Sequence, residues 1–246
     1  MATRPRTRKP LTKERVLEKA IVLADKDGIE ALSMRKLGQA LGVEAMSLYN
    51  HVASKGELVA AMVDRVVEQF ELPDDEPRWD KAIRRCAISA HDVLIKHPWA
   101  CSPALLPSDI RVVGGPRIRY MEWLLRRLRE AGFSAELAYS AYHTLDSHIF
   151  GFTLWQLGHA KAARMLAPTG DEDMEQWALR MLQQMRPQFP YLAEHGEQHM
   201  AAGARDGRHE FEFGLDLILD GLKKLRRKGS ARRSPSPPSA PRLASR

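Results

Sequence analysis

The segment LGVEAMSLYNHVASKGEL, residues 41–58, combines a short apolar pattern with a cluster of polar side chains. Leu48 and Val52 recur at helical spacing and predict the inner face of a short helix. The residues around them would then project outward. An Asn side chain such as Asn50 can pair with adenine, and small or apolar side chains such as Ala45 and Met46 can touch thymine methyl groups. This pattern therefore predicts a helix whose outer face meets the base edges of DNA.

Hydroxyl, imidazole and ammonium groups in the same segment suit phosphate oxygens. Such contacts position a protein on a duplex without reading its sequence. We therefore expect phosphate contacts from Ser47, Tyr49, His51 and Lys55.

Residue patterns typical of enzymes are weak in this chain. His195 and His199 stand four residues apart, but HGEQH does not match HExxH and no third metal ligand is indicated. His143, Asp146 and Ser147 are close in sequence, yet a helix would point them in different directions and no G-x-S-x-G elbow exists. The chain has no phosphate loop or dinucleotide fingerprint. We predict no catalytic site, no metal site and no cofactor.

Capping residues indicate where the helices that position the polar segment begin and end. Thr12 is expected to cap a first helix that ends at Gly28, and Ser33 to cap a second that ends at Gly42. A third, short helix is expected over about 45–52. Two short helices joined by a tight turn predict a helix-turn-helix, whose second helix enters the major groove while the first crosses the backbone.

A longer helix is predicted directly after this motif. Ser54 and Glu57 match the S-x-x-E capping box, and apolar residues follow at helical spacing to about Phe70. The segment ELPDDEP, residues 71–77, then marks a boundary. Beyond it, helices are predicted at about 78–97, 115–131, 134–158, 171–185 and 209–227. Strand signals are almost absent, so the predicted fold class is all-α.

Charge is concentrated at the two ends of the 246-residue chain, which has a formal net charge of +7. Residues 1–10 and 223–246 contain Lys and Arg but no acid, whereas acids outnumber Lys and Arg in between. Basic terminal segments suit contact with a polyanion, although they also serve solubility. The segment after Lys228 is rich in Ser, Pro and Arg and has no hydrophobic periodicity, so we expect it to be disordered.

Compartment signals are consistent with a cytoplasmic protein. The two cysteines, Cys86 and Cys101, form no CxxC pair, which favours a reducing compartment. No apolar run reaches the length of about 20 residues that crosses a bilayer, and no signal peptide is indicated. We expect no membrane contact.

The stretch SMRKLGQALGVEAMSLYNHVASKGELVAAMVDRV resembles the DNA-binding region of the tetracycline-repressor (TetR) family of transcriptional regulators. The matching pieces are LGV, the pattern S-LY-H-V, and Lys55 with Leu58, within roughly residues 11–70. HPWA, RYMEWLLRRLREAGFS and SAYHTLDSHIFGFTLWQLG resemble the helical C-terminal domain of the branch closest to the tetracycline repressor. The resemblance implies a homodimer that binds double-stranded operator DNA and releases it when a small-molecule effector enters the C-terminal domain.

Carried over by position, the resemblance implies a set of DNA contacts and a domain organisation. The contact set is Ser33, Arg35, Ala45, Met46, Ser47, Tyr49, Asn50, His51 and Lys55. The tetracycline repressors have Gln-Pro in place of Ala45-Met46 and Trp in place of Asn50, so the tetracycline operator is not the expected target. The expected domains are a basic arm (1–10), a helix-turn-helix domain with its connecting helix (11–70), a ligand-binding and dimerisation domain (78–228) and a disordered basic tail (229–246).

The helix expected over about 134–158 carries large side chains on more than one face, as a helix buried between neighbours does. One stripe is a candidate lining for an effector cavity, with its polar residues as anchors. The alternative is a core and dimer helix with satisfied polar groups. The candidate ligand-binding residues are Tyr120, Tyr139, Tyr142, His143, Asp146, Phe150 and Thr153.

The last predicted helix carries one apolar seam. Its members are Phe211, Leu215, Ile218, Leu222 and Leu225. We expect this seam to pack against a second copy of the chain, with packing inside one chain as the alternative. Two other functions remain open from the residues: a helical hydrolase or metal enzyme, and a sequence-independent nucleic-acid binder that acts through its basic tails.

Overall fold

The computed structural model describes residues 10–101, 115–166, 173–201 and 207–231, without the side chains of 160–166, 201 and 228–231. Within these ranges the regular structure is helical and contains no strand. Ten α-helices follow in order: α1 Lys13–Asp27, α2 Met34–Leu41, α3 Ala45–Leu48, α4 Lys55–Val67, α5 Trp79–Lys96, α6 Pro116–Glu130, α7 Ala135–Leu166, α8 Met174–Met185, α9 Pro190–Ala201 and α10 Arg208–Ala231. The all-α prediction is confirmed.

The predicted caps delimit the first two helices. The Thr12 hydroxyl accepts the Arg15 amide at 3.3 Å, and the Ser33 hydroxyl accepts the Lys36 amide at 3.2 Å. Gly42 has φ +71°, the left-handed conformation that glycine adopts without steric cost, and it ends α2. These local signals set the length of the first helix and of the tight turn before the third.

The third predicted helix, residues 45–52, is shorter as an α-helix than predicted. Because the sequence predicts that this segment enters the major groove, we call it the recognition element. Regular α-helix ends at Leu48, and the chain continues to Val52 through turns in which the Tyr49 amide bonds to Met46 O and the His51 amide to Leu48 O. Both are i→i+3 bonds, which tighten the last turn. The side chains of Leu48 and Val52 are nevertheless buried, so the predicted inner face is confirmed.

The capping box that opens α4 is present with a small difference. The Ser54 hydroxyl accepts the Glu57 amide at 3.0 Å, while the Glu57 carboxylate accepts the amide of Ala53 at 2.6 Å, one residue earlier than the usual pattern. The backbone hydrogen bond from Ala53 lowers the pKa of Glu57. The start of α4 is therefore fixed by local chemistry.

The C-terminal part is built around α7. This 32-residue helix packs against α5, α6 and α10, and it extends eight residues beyond the predicted end at 158. Ala138, Ala141, Leu145 and Ile149 on its inner face are buried. Because α7 is long, it contacts three other helices and is the central helix of the C-terminal part.

The segment of residues 71–77 is an anchored connection between α4 and α5. Arg126 Nη2 and Trp123 Nε1 both donate to Asp74 Oδ1, at 2.8 and 3.0 Å. Arg85 pairs with Glu71, and Arg127 donates to the backbone oxygen of Glu76. A displacement of α6 would therefore pull directly on the connection to α4.

The prediction that the α10 seam packs against a second copy is wrong for most of its members. Phe211, Leu215 and Leu222 are buried inside the single chain, against α5 and α7. Ile218 is half-buried, and only Leu225 at the end of the seam is exposed. The strongest apolar stripe of a helix covers the nearest core, which here belongs to the same chain.

Helix α4 ends at Val67 rather than near Phe70, and the remaining boundaries differ from the predictions in three further places. Helix α8 begins at Met174 rather than near 171, and α9 was not predicted because its apolar residues are too few and too scattered for a helical period. Helix α10 continues to Ala231, three residues into the segment that was assigned to a disordered tail. Most of the predicted basic arm and most of that tail lie outside the described residues.

Candidate nucleic-acid interface and ligand site

The element 45–52 presents one buried and one exposed face. Leu48 has no exposed surface, and Val52 is 2% exposed. On the outer face Met46 is 75% exposed, Tyr49 is 43% exposed and Asn50 is exposed. Met46 and Tyr49 thus leave apolar and aromatic surface open to solvent, where a partner can contact it.

The other predicted contact residues surround this face. Arg35 and Lys55 are exposed, while Ala45, Ser47 and His51 are half-buried at its edges. Ser33 is placed differently, because its hydroxyl already accepts the Lys36 amide as the cap of α2. A second bond from this hydroxyl to a phosphate is compatible with that role, since a hydroxyl donates as well as accepts.

Gly38 sets the distance between α2 and the recognition element. A Cβ on this residue would lie 2.9 Å from the Val43 oxygen and 3.2 Å from the Ala45 nitrogen, both backbone atoms. The Val43 amide also bonds to Gly38 O at 3.0 Å. The absence of a side chain therefore allows the turn to fold tightly against α2.

Two sets of contacts join the N-terminal helices to the rest of the chain. Arg117 Nε, in the first turn of α6, donates to Asp64 Oδ1 of α4 at 3.1 Å. Asp25 Oδ1 of α1 accepts from His97 Nδ1 at 2.8 Å and from Trp99 Nε1 at 2.7 Å, at a 3₁₀ turn that follows α5. The orientation of the recognition element thus depends on α6 and on the end of α5.

Part of the predicted ligand set meets in space. The Tyr120 hydroxyl of α6 donates to Asp146 Oδ1 of α7 at 3.1 Å. Burial raises the pKa of Asp146, and it raises the pKa of Tyr120 well above the usual value of a tyrosine. The Phe70 ring stands edge-on to Tyr120, with centroids 5.6 Å apart. Burial and the nearby Asp146 raise the pKa of Tyr142 to about 12.

Other members of the set lie toward solvent on α7. Tyr139 is 65% exposed, and its ring lies 4.4 Å from that of His143, centroid to centroid. The His143 ring also stands at 5.1 Å from Tyr142. Through His143 these rings form one aromatic cluster on α7, and Tyr142 and His143 are near enough to Asp146 to interact with it electrostatically. Phe150 is half-buried against the core.

Thr153 does not belong to this group. Its hydroxyl donates to Ile149 O at 2.6 Å, and because the hydroxyl has a single proton it accepts from His91 Nδ1 at 2.8 Å. The His91 ring stacks on Phe211, with centroids 4.1 Å apart. His91 was missed at the sequence level, although a histidine on the apolar face of an amphipathic helix marks a buried polar group that needs a partner.

A cavity of about 340 Å³ lies elsewhere, on the outer side of α6. It is lined by Leu72, Asp74, Ile118, Arg119, Glu122, Trp123 and Arg126. None of the predicted ligand-binding residues lines it. It is open to solvent and beside the connection between α4 and α5.

Candidate metal sites and membrane spans are absent from the ranges that the structure describes. There, no group of three His, Cys, Asp or Glu side chains is placed to hold a metal ion. His195 and His199 are both exposed on α9. In the same ranges, no helix combines the length and apolar character needed to span a bilayer.

Comparison with known families matches both parts of the chain. Residues 16–62 match the model of the bacterial regulatory proteins of the tetR family. Residues 72–226 match the model of the tetracyclin repressor-like C-terminal domain. The first match ends at residue 62 in α4, and the second begins at residue 72, in the anchored connection of residues 71–77.

Individual proteins show the same similarity. The chain is 35% identical over 222 residues to the HTH-type transcriptional repressor DrrR1 of Streptomyces coeruleorubidus, covering 87% of this chain and 78% of that protein. It is 27% identical over 214 residues to the class D tetracycline repressor of Escherichia coli, covering 85% and 93%. The crystal structure of the Streptomyces coelicolor TetR family protein ActR with actinorhodin superposes with a TM-score of 0.65, at 27% identity and with 89% and 99% of the two chains covered.

Proposed function

The chain belongs to the tetracycline-repressor (TetR) family of transcriptional regulators, and from this premise we propose that it is a homodimeric repressor of a palindromic operator, released by a small hydrophobic effector. As a member of this family it is a DNA-binding regulator and not an enzyme. The observation that carries the proposal is the exposed outer face of residues 45–52 above a buried inner face. A duplex explains why a short helix exposes Met46 and Tyr49.

We assign the reading of base edges to Ala45, Met46 and Asn50. Asn pairs bidentately with adenine, and the two smaller or apolar groups suit thymine methyls. Ser33, Arg35, Ser47, Tyr49, His51 and Lys55 are assigned to the phosphate backbone or the groove edge, where they set the register of the helix. The domain limits that follow are 11–70 for DNA binding and 78–228 for effector binding and dimerisation, with basic segments at 1–10 and 229–246.

Dimerisation is supported by an exposed apolar face on the neighbouring helices α7 and α10. Phe213 and Leu217, one turn apart on α10, are 63% and 61% exposed. Leu154 and Trp155 on α7 are exposed as well. A patch of this kind on a monomer is typical of a protein–protein interface. A single short recognition element also offers too few contacts for selective binding, whereas two elements about 34 Å apart fit successive turns of the duplex.

This assignment replaces the seam on α10 as the dimer surface. The test is the oligomeric state of Leu217→Glu, measured by sedimentation, with Val22→Glu on the exposed side of α1 as the matched control. We expect the first variant to be monomeric and the control to remain dimeric. A dimer in both variants would contradict the assignment.

The effector site is proposed around Tyr120, Tyr142 and Asp146, with Tyr139, His143 and Phe150 contributing to its aromatic walls. The structures of ActR with actinorhodin and the family of tetracycline repressors support a small-molecule effector. Thr153 is not retained, because it has no exposed surface and its hydroxyl bonds to Ile149 O and to His91 inside the core.

Release of DNA follows from the contacts between the two parts. An effector beside Tyr120 would move α6, and α6 contacts α4 through the bond between Arg117 and Asp64. A changed tilt of α4 would alter the distance between the two recognition elements. The effector must bind the released form more tightly than the DNA-bound form, because only differential affinity shifts a population.

The function is tested by selection of bound duplexes from a random library near physiological salt, because affinity for DNA falls steeply with salt. We expect the wild-type chain to recover a palindromic consensus. Tyr49→Ala and His51→Ala should lose it while remaining dimeric. Tyr191→Ala, an exposed tyrosine on α9, serves as the matched control and should bind as the wild type does.

Two outcomes would refute the proposal. Recovery of no consensus, with binding that disappears when both basic tails are deleted, would assign DNA binding to the tails alone. Unchanged binding in Tyr49→Ala and His51→Ala would refute the assigned contacts.

A further inference from the structure

The carboxylate of Asp146 is exceptional among the partly or fully buried carboxylates of the described residues. Each of the others has a compensating donor. Cationic side chains pair with Asp64, Asp80, Asp92, Glu197 and Glu212, and Glu76 accepts the Arg78 amide at 3.0 Å. Asp146 receives only the neutral hydroxyl of Tyr120 among the described groups. Among the described residues no cationic side chain forms an ion pair with Asp146, and the positive charge that lies near it is that of His143 when this imidazole is protonated.

The surroundings of Asp146 increase the cost of that charge. Tyr120 is 4% exposed and is itself packed against Phe70, so the site is closed to water on the α6 side. Burial raises the pKa of Asp146. The titratable groups that interact with it are Tyr120 of α6, Cys86 of α5, and Tyr142 and His143 of α7. At a pH where His143 is neutral, a carboxylate without an ion pair in such a place costs folding free energy, so a structural role alone does not account for it.

An aromatic cluster on α7 lies near this carboxylate. Tyr139 and His143 are exposed on α7, and the His143 ring contacts the rings of both Tyr139 and Tyr142. Aromatic faces attract cations, and a desolvated carboxylate strengthens that attraction further. An anionic ligand would instead be repelled at the same position. The chemistry of the site thus selects for positive charge on an aromatic framework.

We propose that Asp146 is the specificity residue of the effector site and binds the ammonium group of an aromatic amine. This inference rests on the proposed function, since it identifies the class of effector that the same site takes. The rings of Tyr139, Tyr142 and His143 hold the aromatic part of the ligand. The Tyr120 hydroxyl keeps the carboxylate oriented toward the ligand.

The first test needs no ligand and compares Asp146→Asn with Asp64→Asn, a half-buried carboxylate that does have an arginine partner. The Asn side chain still accepts the Tyr120 hydroxyl but carries no charge. We expect Asp146→Asn to raise the thermal midpoint of the full chain at pH 8 by about 2–4 °C. The gain should shrink as the pH falls through the raised pKa of Asp146 in the folded chain, and it should vanish below the pKa of an unfolded aspartate.

The control variant Asp64→Asn should lower the midpoint at pH 8. If Asp146→Asn lowers it as well, Asp146 is a structural acceptor for Tyr120 and the inference is wrong.

The second test measures binding of 1-pyrenemethylamine and of its neutral N-acetyl derivative to the full chain. The titration is done without DNA, because planar cations bind duplexes themselves. We expect the amine to bind the wild type at least tenfold more tightly than the acetylated compound. Asp146→Asn should abolish that preference, whereas Asp92→Asn, a carboxylate paired with Arg208 outside the site, should retain it.

Operator binding by the same variants separates the two proposals. If Asp146→Asn and the wild type bind the selected duplex equally and neither distinguishes amine from amide, the inference fails while the repressor function stands. Absence of binding by both pyrene compounds counts against the inference in the same way. If the wild type selects no duplex, the proposed function itself fails.

Discussion

Gly38 is the position at which the smallest chemical change should have the largest effect on DNA binding. An alanine there would place its Cβ 2.9 Å from the backbone oxygen of Val43 and within 3.3 Å of the Ala45 Cα. Contacts of this kind with backbone atoms are relieved only if the turn moves. The recognition element must therefore shift away from α2 by a few tenths of an ångström.

Two opposing terms decide the stability of Gly38→Ala. Alanine in place of glycine inside a helix stabilises by about 0.5–1 kcal/mol, because it reduces the conformational entropy of the unfolded chain. Insertion of a methyl group into a closely packed contact costs about 1–3 kcal/mol. Since the obstacle is backbone and cannot rotate away, we expect the second term to prevail, with net destabilisation of about 1 kcal/mol or more.

Gly56→Ala is the matched control within the same domain. A Cβ on Gly56 meets only the Ser54 hydroxyl oxygen, at an ordinary 3.6 Å. We expect this variant to be as stable as the wild type or slightly more stable. Urea unfolding of the full chain measures both variants, and fluorescence anisotropy with the selected operator measures affinity.

The displaced recognition element should also weaken DNA binding by Gly38→Ala. A loss of about tenfold corresponds to about 1.4 kcal/mol, which is the size of one good base contact. If Gly38→Ala is as stable as Gly56→Ala and binds the operator as tightly as the wild type, the reasoning from the close approach is wrong.

Three further predictions concern the helices that support the recognition element and the core. Leu48→Ala should lower the free energy of unfolding by about 2–5 kcal/mol in urea titrations, because Leu48 is fully buried; a loss below about 1 kcal/mol would contradict this. Asp25→Ala should weaken operator binding several-fold, because it releases the contact with His97 and Trp99. Asp25→Asn retains an acceptor and should bind normally. Equal affinities of the two variants in anisotropy titrations would argue against this. Burial opposes ionisation of Asp80, but hydrogen bonds from an arginine and a lysine outweigh it and hold its pKa at about 2. The unfolded chain therefore binds more protons than the folded chain in this range. About 2 kcal/mol of stability is present above pH 4 and is lost as the pH falls toward 2. Asp80→Asn should therefore be less stable than the wild type at pH 7 but not at pH 2.

The N-terminal domain shows how far local signals reach. Ser33 and Ser54 cap helices as predicted because a cap depends on a hydroxyl and on amides no more than three residues away. Gly42 ends α2 because the left-handed conformation favours glycine wherever it occurs. Leu48 and Val52 are buried as expected, since helical spacing assigns them to one face. Each of these features is decided within a few residues of chain, so the sequence itself determined them.

Tertiary structure decided what each apolar or polar face meets. The period of α10 shows that Phe211 and Leu215 share a stripe, but only the packing shows that this stripe covers α5 and α7 of the same chain. Thr153 and Asp146 lie seven residues apart on α7, yet one is held inside the core by His91 and the other is met by Tyr120. These pairs join residues 62 and 26 positions apart in sequence. Periodicity reports which side chains lie together on one helix, whereas the partner of that face depends on how separate helices pack, and no local pattern encodes that choice.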